Sequence, residues 1–517
     1  MKIVERGQKV DSSPLFGFDE EPSMDWLLTS MLKEIVRGKP RIDLLRLYAE
    51  GDPPKPATPG NLKEEWVEFE AFRRKSRTNF ANLITGACLD KSGLQGFRTA
   101  AKGDEDGDKR ADELWESNDM PVKADKIMYD FYTYGIGIGV IDPNTKQAMD
   151  FRPWQAHAIF DRAGNVQAGV TVEHVPMERR DYATLWVRET DEHGIANGDI
   201  WSHTAVRDRE NRRVQRENIF AGEVPVSTYL ARSWVWWKSE RHDNLKHFPM
   251  HVFENRNGVG EFEQHLDVLD RINHMLLQRV VIVTMQAFRQ RAVQGDLPMY
   301  DKAGKRIDYD EMFPASPGAL WLIGKEATIW ESTPTDIMSI LAGVKDDVRD
   351  LAAVTRTPMT YFSPDSANGS AEGASLQREG YTSKMDDRKM RMNGRWRAFM
   401  ASLFEINGDL ERSKIEEIEV LWAPSASESL AERFAAMNVA VAGGMSLRTA
   451  MREVLKWNPK QMRAAELERI SETLMAAAAT PVGAGEKQTP MQRRMAESRT
   501  GVERQQTANA QNQKAAK

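Results

Sequence analysis

The chain has one cysteine, Cys88, among 517 residues. No intrachain disulfide can form, and nothing in the cysteine usage points to an oxidising compartment. Zinc sites built from four cysteines, or from two cysteines and two histidines, are excluded. Long apolar runs are missing too. The densest, Val280–Val283, falls far short of the roughly 18 consecutive apolar residues of a membrane-crossing helix, so no membrane partner is expected. Residues 1–9 lack the apolar core of a signal peptide, so no secretory leader is expected. A basic excess is absent as well: 71 Lys and Arg stand against 77 Asp and Glu, for a net charge of -6. Proteins that grip nucleic acid over a broad face use Lys and Arg to neutralise phosphates and release counterions. Any DNA this chain meets is therefore expected to be held weakly.

What is present is an ordinary globular composition, 41% apolar and 29% charged, in a chain long enough for more than one compact unit. Residues 1–22 are polar and punctuated by Gly and Pro, and read as a flexible arm. From Ser23, Leu27, Leu28, Met31, Leu32, Ile35 and Val36 recur at helical spacing. Pro40 is expected to interrupt this helix. A second short helix carries Leu44, Leu45, Leu47 and Tyr48 and stops at Gly51-Asp-Pro-Pro54. Another helix is expected from Leu62 to Cys88, and two more near 107–117 and 121–134. From Gly135 to Asn255 the period changes to short β-like runs: 136–141, 148–160, 167–174, 182–188, 199–206, 226–237 and 250–253. Residues 23–259 thus read as helices followed by an antiparallel β region, and the fold class as α+β.

A connected cassette follows, from Gly260 to Asn407. Leu266, Leu269, Ile272, Leu276, Val280, Val283 and Ala287 keep one apolar helical face. Glu261 and Glu263 read as first-turn acids, and Arg289 and Arg291 as last-turn bases, of a helix of about 50 Å spanning 260–295. A small β-rich insertion is expected at 296–332, with β-like runs at 319–323 and 328–331. Thr333-Pro-Thr-Asp336 starts a second helix, 333–356, whose middle is weakened by Gly343. The loop 357–373 has two prolines, two glycines, five Ser or Thr and no Lys or Arg. A long helix and a strand at 419–422 occupy 374–426. Three helices fill 427–479. Residues 480–517 read as a disordered basic tail, with seven Lys and Arg against three Glu from 486 onward. Two adjacent helices with a small module at one end and a neutral loop at the other suit the wall of a channel rather than an active site.

Candidate chemistry is sparse. Gly135-Ile-Gly-Ile-Gly139 invites a dinucleotide-binding reading, but that motif needs a strand before it and a helix after it. Here the order is reversed, so the glycines read as tight helix–strand packing. His242, Asp243, His247 and His251 form the one His-rich patch, and Pro249 keeps His247 and His251 off a common helix. No nucleophile elbow, phosphate loop or paired carboxylates stand out, so no cofactor, metal or enzymatic activity is expected. Lys384, Arg388, Arg391 and Arg395 recur as one basic stripe on the long helix. The stripe reads as a solvated face, as a seam between subunits, or, third, as a DNA contact.

Several segments, in order, resemble the portal proteins (head-to-tail connectors) of tailed double-stranded DNA bacteriophages. Tyr48-Ala-Glu-Gly51-Asp-Pro-Pro54 resembles the family's early Tyr–Glu–Gly–x–Pro segment. Arg77-Thr-Asn-Phe-Ala-Asn82, leading to Leu89-Asp90, resembles the helix before its first wing strand. Tyr134-Gly135 resembles its helix-to-strand step. Thr357-Pro-Met-Thr-Tyr-Phe362, then Asn368-Gly-Ser-Ala-Glu-Gly373 and a long helix, resembles its tunnel loop and following helix. The resemblance covers about 23–457. It implies a homo-oligomeric ring, usually of twelve subunits, at one capsid vertex of the virion, through which double-stranded DNA is packaged and ejected. The wing would be 23–259 with the long helix, the stem 260–295 and 333–356, the clip 296–332 and the crown 427–479. Implied partners are the terminase large subunit, a head–tail adaptor and the major capsid and scaffold proteins.

The residues give that role physical sense. Tyr361, Phe362, Ser366, Asn368 and Ser370 of the cation-free loop, with Asp346, Asp347 and Asp350 of the second stem helix, would face the channel. The charges from Thr335 to Val354 sum to -2, so this wall should let DNA slide. Tyr300, Lys302, Lys305 and Arg306 around Gly304 read as the clip's docking surface, with Trp321 and Trp330 as anchors or as the clip's own core. Two other readings stay open: a nucleotide-dependent soluble enzyme built on 135–255, and another oligomeric virion adaptor with no DNA contact.

Overall fold

Helix α1 (Met24–Ala49) begins where Ser23 Oγ accepts from the Trp26 N–H at 3.2 Å, and it runs straight through Pro40. An interior proline leaves the carbonyl four residues back unpaired and costs roughly 3 kcal/mol. Burial on both sides of the proline offsets this. Leu28, Met31, Leu32 and Ile35 pack in one core, and Ile42, Leu45 and Tyr48 in another. The expected break at Pro40 is therefore corrected to one continuous helix. The computed structural model describes residues 4–10, 23–56, 67–101, 107–190, 193, 195–208, 234–243, 245–287, 291–294, 299–300, 303–307, 328–331, 337–363, 371–426 and 430–478. The tail 480–517 and most of the arm 1–22 lie outside them. The chain divides into a unit ending at Ser427 and one starting at Glu428.

The helix expected over 62–88 is two, α2 (Val67–Lys75) and α3 (Phe80–Asp90). Polar side chains make the break. Ser76 Oγ donates to the Arg73 carbonyl at 2.9 Å, and Asn79 caps α3 by accepting from the Asn82 N–H. Strand β1 (Leu94–Arg98) follows, a short element that periodicity alone does not reveal. Helices α4 (Lys109–Ser117) and α5 (Met120–Tyr134) lead to β2 (Ile136–Asp142), β3 (Gln147–Phe151), β4 (Ala156–Phe160), β5 (Val166–Val175), β6 (Arg180–Thr190), β7 (Ala196–Asp208), β8 (Val235–His242) and β9 (Met250–Glu254). The run expected over 148–160 is split, because the turn Arg152–Gln155 sends β3 and β4 into different sheets. One sheet has the order β3-β2-β9. The other is the antiparallel meander β4-β5-β6-β7-β8. Val170, Val172 and Leu185 of the meander share a core with the first half of α1.

Past β9 come α6 (Leu266–Ala287), β10 (Arg291–Gln294), β11 (Thr328–Glu331), α7 (Ile337–Val354), the one-turn α8 (Met359–Phe362), the long α9 (Ala371–Ile406) and β12 (Glu419–Trp422). Strand β12 pairs antiparallel with β1 and closes the unit. Helix α9 supplies Trp396, Phe399, Met400, Leu403 and Phe404 to the largest core, where Phe131 and Tyr132 of α5 meet them. Two glycines let backbones approach closely. A Cβ at Gly137 would lie 2.2 Å from the Ile127 carbonyl oxygen, and one at Gly260 would lie 2.1 Å from that of Thr133. The glycines of β2 thus serve helix–strand packing.

The second unit holds α10 (Leu430–Ala442), α11 (Leu447–Glu453) and α12 (Pro459–Ala478). Ser446 caps α11, and Asn458 with Gln461 closes a reciprocal cap on α12 at 3.0 and 2.8 Å. The helix expected over 447–457 ends at Glu453.

Candidate functional site

Helices α6 and α7, read from sequence as a stem pair, pack against each other in opposite directions. Arg271 of α6 pairs with Asp347 of α7 at 2.9 Å. Further along α6, Met275 meets Gly343, which lies earlier in α7. Leu269, Ile272, Val348 and Leu351 bury the root end of the pair. Helix α6 is about 33 Å long at 1.5 Å per residue, not 50 Å. Arg291 is in strand β10 opposite Glu331, which corrects its reading as a last-turn base. Its neighbours Ala292 and Val293 find strand partners in Trp330 and Ile329, a pairing that local helix periodicity cannot foresee. Arg289 lies outside the described residues, as do Trp321 and the run 319–323.

Beyond the strand pair, Tyr300 bridges Arg306 across a turn in which Gly304 takes φ 79°. Tyr300, Lys305 and Arg306 are exposed together. Lys302 is outside the described residues.

Where the start of α6 meets the end of α7 there is a buried ionic knot. Glu261, read from sequence as a first-turn acid, precedes α6 and is enclosed by protein. Its carboxylate accepts from Lys384 Nζ at 2.9 Å, Arg388 Nε at 2.6 Å and Asn255 Nδ2 at 2.9 Å. Burial opposes its ionisation, but Lys384 and Arg388 outweigh burial and hold its pKa at about 2. Lys384 Nζ also donates to the Thr355 carbonyl at 2.8 Å, just past the end of α7. One ammonium therefore ties the turn before α6 to the end of α7. Alongside, Arg41 of α1 pairs with Glu263 at 2.5 Å and donates to the carbonyls of Tyr134 and Gly258 at 3.0 and 2.8 Å. Asn273 Oδ1 accepts from the Thr78 N–H and hydroxyl at 3.0 and 2.9 Å.

The basic stripe of α9 is corrected by this knot. Lys384 and Arg388 face their own chain and are not available to a neighbour. Arg391 binds Asp387 at 3.1 Å and Arg395 donates to the Gly164 carbonyl at 3.4 Å, and both stay half-buried. The residues expected to face a channel divide likewise. Tyr361 and Phe362, expected in a loop, are on the one-turn helix α8. Their rings pack near Tyr381 at 6.1 Å and Phe80 at 5.5 Å. Ser366, Asn368 and Ser370 lie outside the described residues. On α7, Asp346 and Asp350 are exposed, whereas Asp347 is taken up by Arg271.

Sequence reasoning missed Arg41 and Lys389. Lys389 is buried, which pushes its pKa down to about 8. It donates to the Ala423 carbonyl at 2.6 Å and to Ser425 Oγ at 2.7 Å. An open cavity of about 730 Å³ adjoins this group, lined by Tyr361, Tyr381, Asp386 and Ser425 among others. The histidine patch is dispersed. His242 bonds Ser202, His247 bonds Glu405, and His251 is buried beside Phe399, with its pKa pushed down to about 3 by burial. Among the described residues no cluster of three or more His, Cys, Asp or Glu is arranged to hold a metal, and no helix is long and apolar enough to cross a membrane.

No curated protein matches the chain. Among solved structures, a chain from "Neck of empty GTA particle computed with C6 symmetry" is similar at 12% identity, covering 76% of this chain and 94% of that one, with a TM-score of 0.35. The family model described as "Phage portal protein, SPP1 Gp6-like" matches residues 33–478. That span takes in the sheets, the stem pair, the ionic knot and the long helix, and so the chain belongs to the SPP1 Gp6-like phage portal protein family.

Proposed function

We propose that copies of this chain close into a ring of twelve at one capsid vertex, with the α6–α7 pair lining a channel for double-stranded DNA. The observation that carries this reading is the charge on the open side of α7. Lys345, Asp346, Arg349 and Asp350 are exposed, two of each sign, and Asp346 and Arg349 pair at 2.9 Å. A wall with balanced, internally paired charge releases few counterions from DNA, so it surrounds the duplex without gripping it. Asp347, counted in the sequence reading of a wall with net charge -2, is spent on Arg271 instead.

In this reading the β10–β11 pair and the Tyr300–Arg306 hairpin form the clip, which docks the terminase large subunit during packaging and a head–tail adaptor afterwards. The wing meets capsid and scaffold proteins. The half-buried Arg391 and Arg395 remain candidates for a contact between neighbouring subunits, and residues 357–373 for the tunnel loop. The role is structural and needs no cofactor. Electron microscopy of the purified chain tests it. Rings with an axial hole about as wide as a DNA duplex are expected, since a duplex must pass through. A monomer or dimer at all concentrations refutes the proposal.

A further inference from the structure

Ser425 sits between an amine and a carboxylate at the wall of a cavity. Its Oγ accepts from Lys389 Nζ at 2.7 Å and donates to Asp386 Oδ1 at 2.7 Å. Lys389 Nζ is steadied by a second bond, to the Ala423 carbonyl at 2.6 Å. Asp386 and Lys389 are one turn apart on α9 and share a face of it. Ser425 follows β12 in a segment fixed twice. The Ala423 N–H donates to the Gly93 carbonyl at 2.7 Å, and Pro424 restricts the backbone beside the serine. Lys389 and Ser425 are 6% and 8% exposed. Ser425 and Asp386 line the open cavity of about 730 Å³, together with Tyr361, Tyr381 and Lys91. Lys389, Ser425 and Asp386 have no part in the channel reading.

We propose that Ser425 is a nucleophile with Lys389 as its base, and that the cavity takes small carboxylic esters whose apolar group packs on Tyr361 and Tyr381. Serine attacks an acyl carbon efficiently only when a neighbour takes its proton, and a serine–lysine pair is one recurrent arrangement for this. A lysine acts as base only if it is neutral near the working pH. Burial provides this. It pushes the Lys389 pKa down to about 8, a fall that Lys91 furthers and Asp386 opposes. While Lys389 is an ammonium, the Ser425 hydroxyl donates to Asp386. Once the amine is neutral, the freely rotating hydroxyl turns to Nζ. Ser425 Oγ then bonds to the ester carbonyl carbon as its proton passes to Nζ. The bond from that carbon to the alcohol oxygen breaks, and the alcohol leaves with the proton. Water attacks the acyl-serine by the same route, releasing the acid and restoring Ser425. Ester and water thus give acid and alcohol. Lys91 places positive charge at the cavity, where the carbonyl oxygen becomes anionic.

The test uses the full chain, a fluorophosphonate that labels activated serines, and p-nitrophenyl butyrate as the ester. Labelling of Ser425 in the folded chain is expected, located by peptide mass spectrometry and absent after unfolding in urea. Ser425→Ala should lose both the label and the ester turnover. Lys389→Arg keeps the charge and the donors but cannot be deprotonated, so it should label about a hundredfold more slowly, within the roughly 10²–10⁴ that a positioned base contributes. In the wild type both rates should rise with pH and level off above about 8. Circular dichroism and thermal unfolding check the variants, and if Lys389→Arg does not fold, the wild-type pH profile decides. A strut that only ties α9 to the segment after β12 predicts lower stability in both variants and no label on Ser425, and that result overturns the proposal. Labelling that is equal in Lys389→Arg, or that does not rise with pH, overturns it as well. Rings that form but carry no label overturn this inference and leave the channel reading standing.

Discussion

Lys384 Nζ lies 2.9 Å from Glu261 Oε2 with 4% and 3% of the two side chains exposed. The pair joins the long helix α9 to the turn that launches α6. Replacing Glu261 by Gln leaves Lys384 and Arg388 facing a neutral partner inside the protein. Loss of one member of a buried ion pair costs about 3–5 kcal/mol, and a loss of that size is expected in urea unfolding of the full chain. Lys384→Met should cost less in the Glu261→Gln background than in the wild type, because no uncompensated buried carboxylate then results.

The same carboxylate sets an acid limit. Its folded pKa of about 2 is below the ordinary 4.5, so the unfolded chain takes up its proton first as pH falls. Glu261's contribution is therefore complete above pH 4.5 and is lost as pH falls from 4.5 toward 2. Urea midpoints measured across that range should fall more steeply for the wild type than for Glu261→Gln.

Glycine positions differ in what they tolerate. Gly137→Ala would place a methyl 2.2 Å from the Ile127 carbonyl oxygen and force α5 off β2. A loss of about 1–3 kcal/mol or more is expected from overpacking. Gly343→Ala meets the flexible Met275 methyl at 3.6 Å, ordinary contact, and should stabilise α7 by up to about 1 kcal/mol. Thermal unfolding of the two variants should shift in opposite directions.

Asp346→Lys with Asp350→Lys converts the exposed, balanced face of α7 into a cationic one. Wild-type rings should retain DNA weakly and with little salt dependence. The double variant should bind DNA at low salt and release it steeply as salt rises. Filter retention across a salt series reads both. Asp347→Ala, which acts between the helices, should leave DNA retention unchanged and cost roughly 0.2–1 kcal/mol of stability, as expected for a pair whose arginine is half-exposed.

Much of this fold is legible from local pattern. Strand β12 and the ends of α9, α10 and α12 fall at or within about three residues of where periodicity and turn residues place them, a margin usual for helix ends. What pattern could not supply are decisions made by distant partners. Pro40 signals a stop that packing in two cores overrides. Arg291 follows a helical pattern in sequence but takes a strand partner forty positions on, as its pairing with Glu331 shows. Strand β1 is short, and its partner lies near the far end of the first unit. Glu261 and Lys384 each look like surface charges in their own segments. They become a buried pair once the β9–α6 turn and α9 meet. A site built from charges on separate elements leaves no spacing signature for a motif to catch.

Helix α1 is also a mechanical element. Its first half is bolted to the five-stranded meander and its second half to the core shared with α6 and α7, with Arg41 clamped to Glu263. A push on that sheet therefore travels to the α6–α7 pair along helical backbone rather than through loops. Pro40 interrupts the hydrogen-bond ladder of this strut between its two anchorages, so bending under load concentrates there. The proline that reads as a stop signal is instead the one gap in the backbone ladder of a helix that joins two cores.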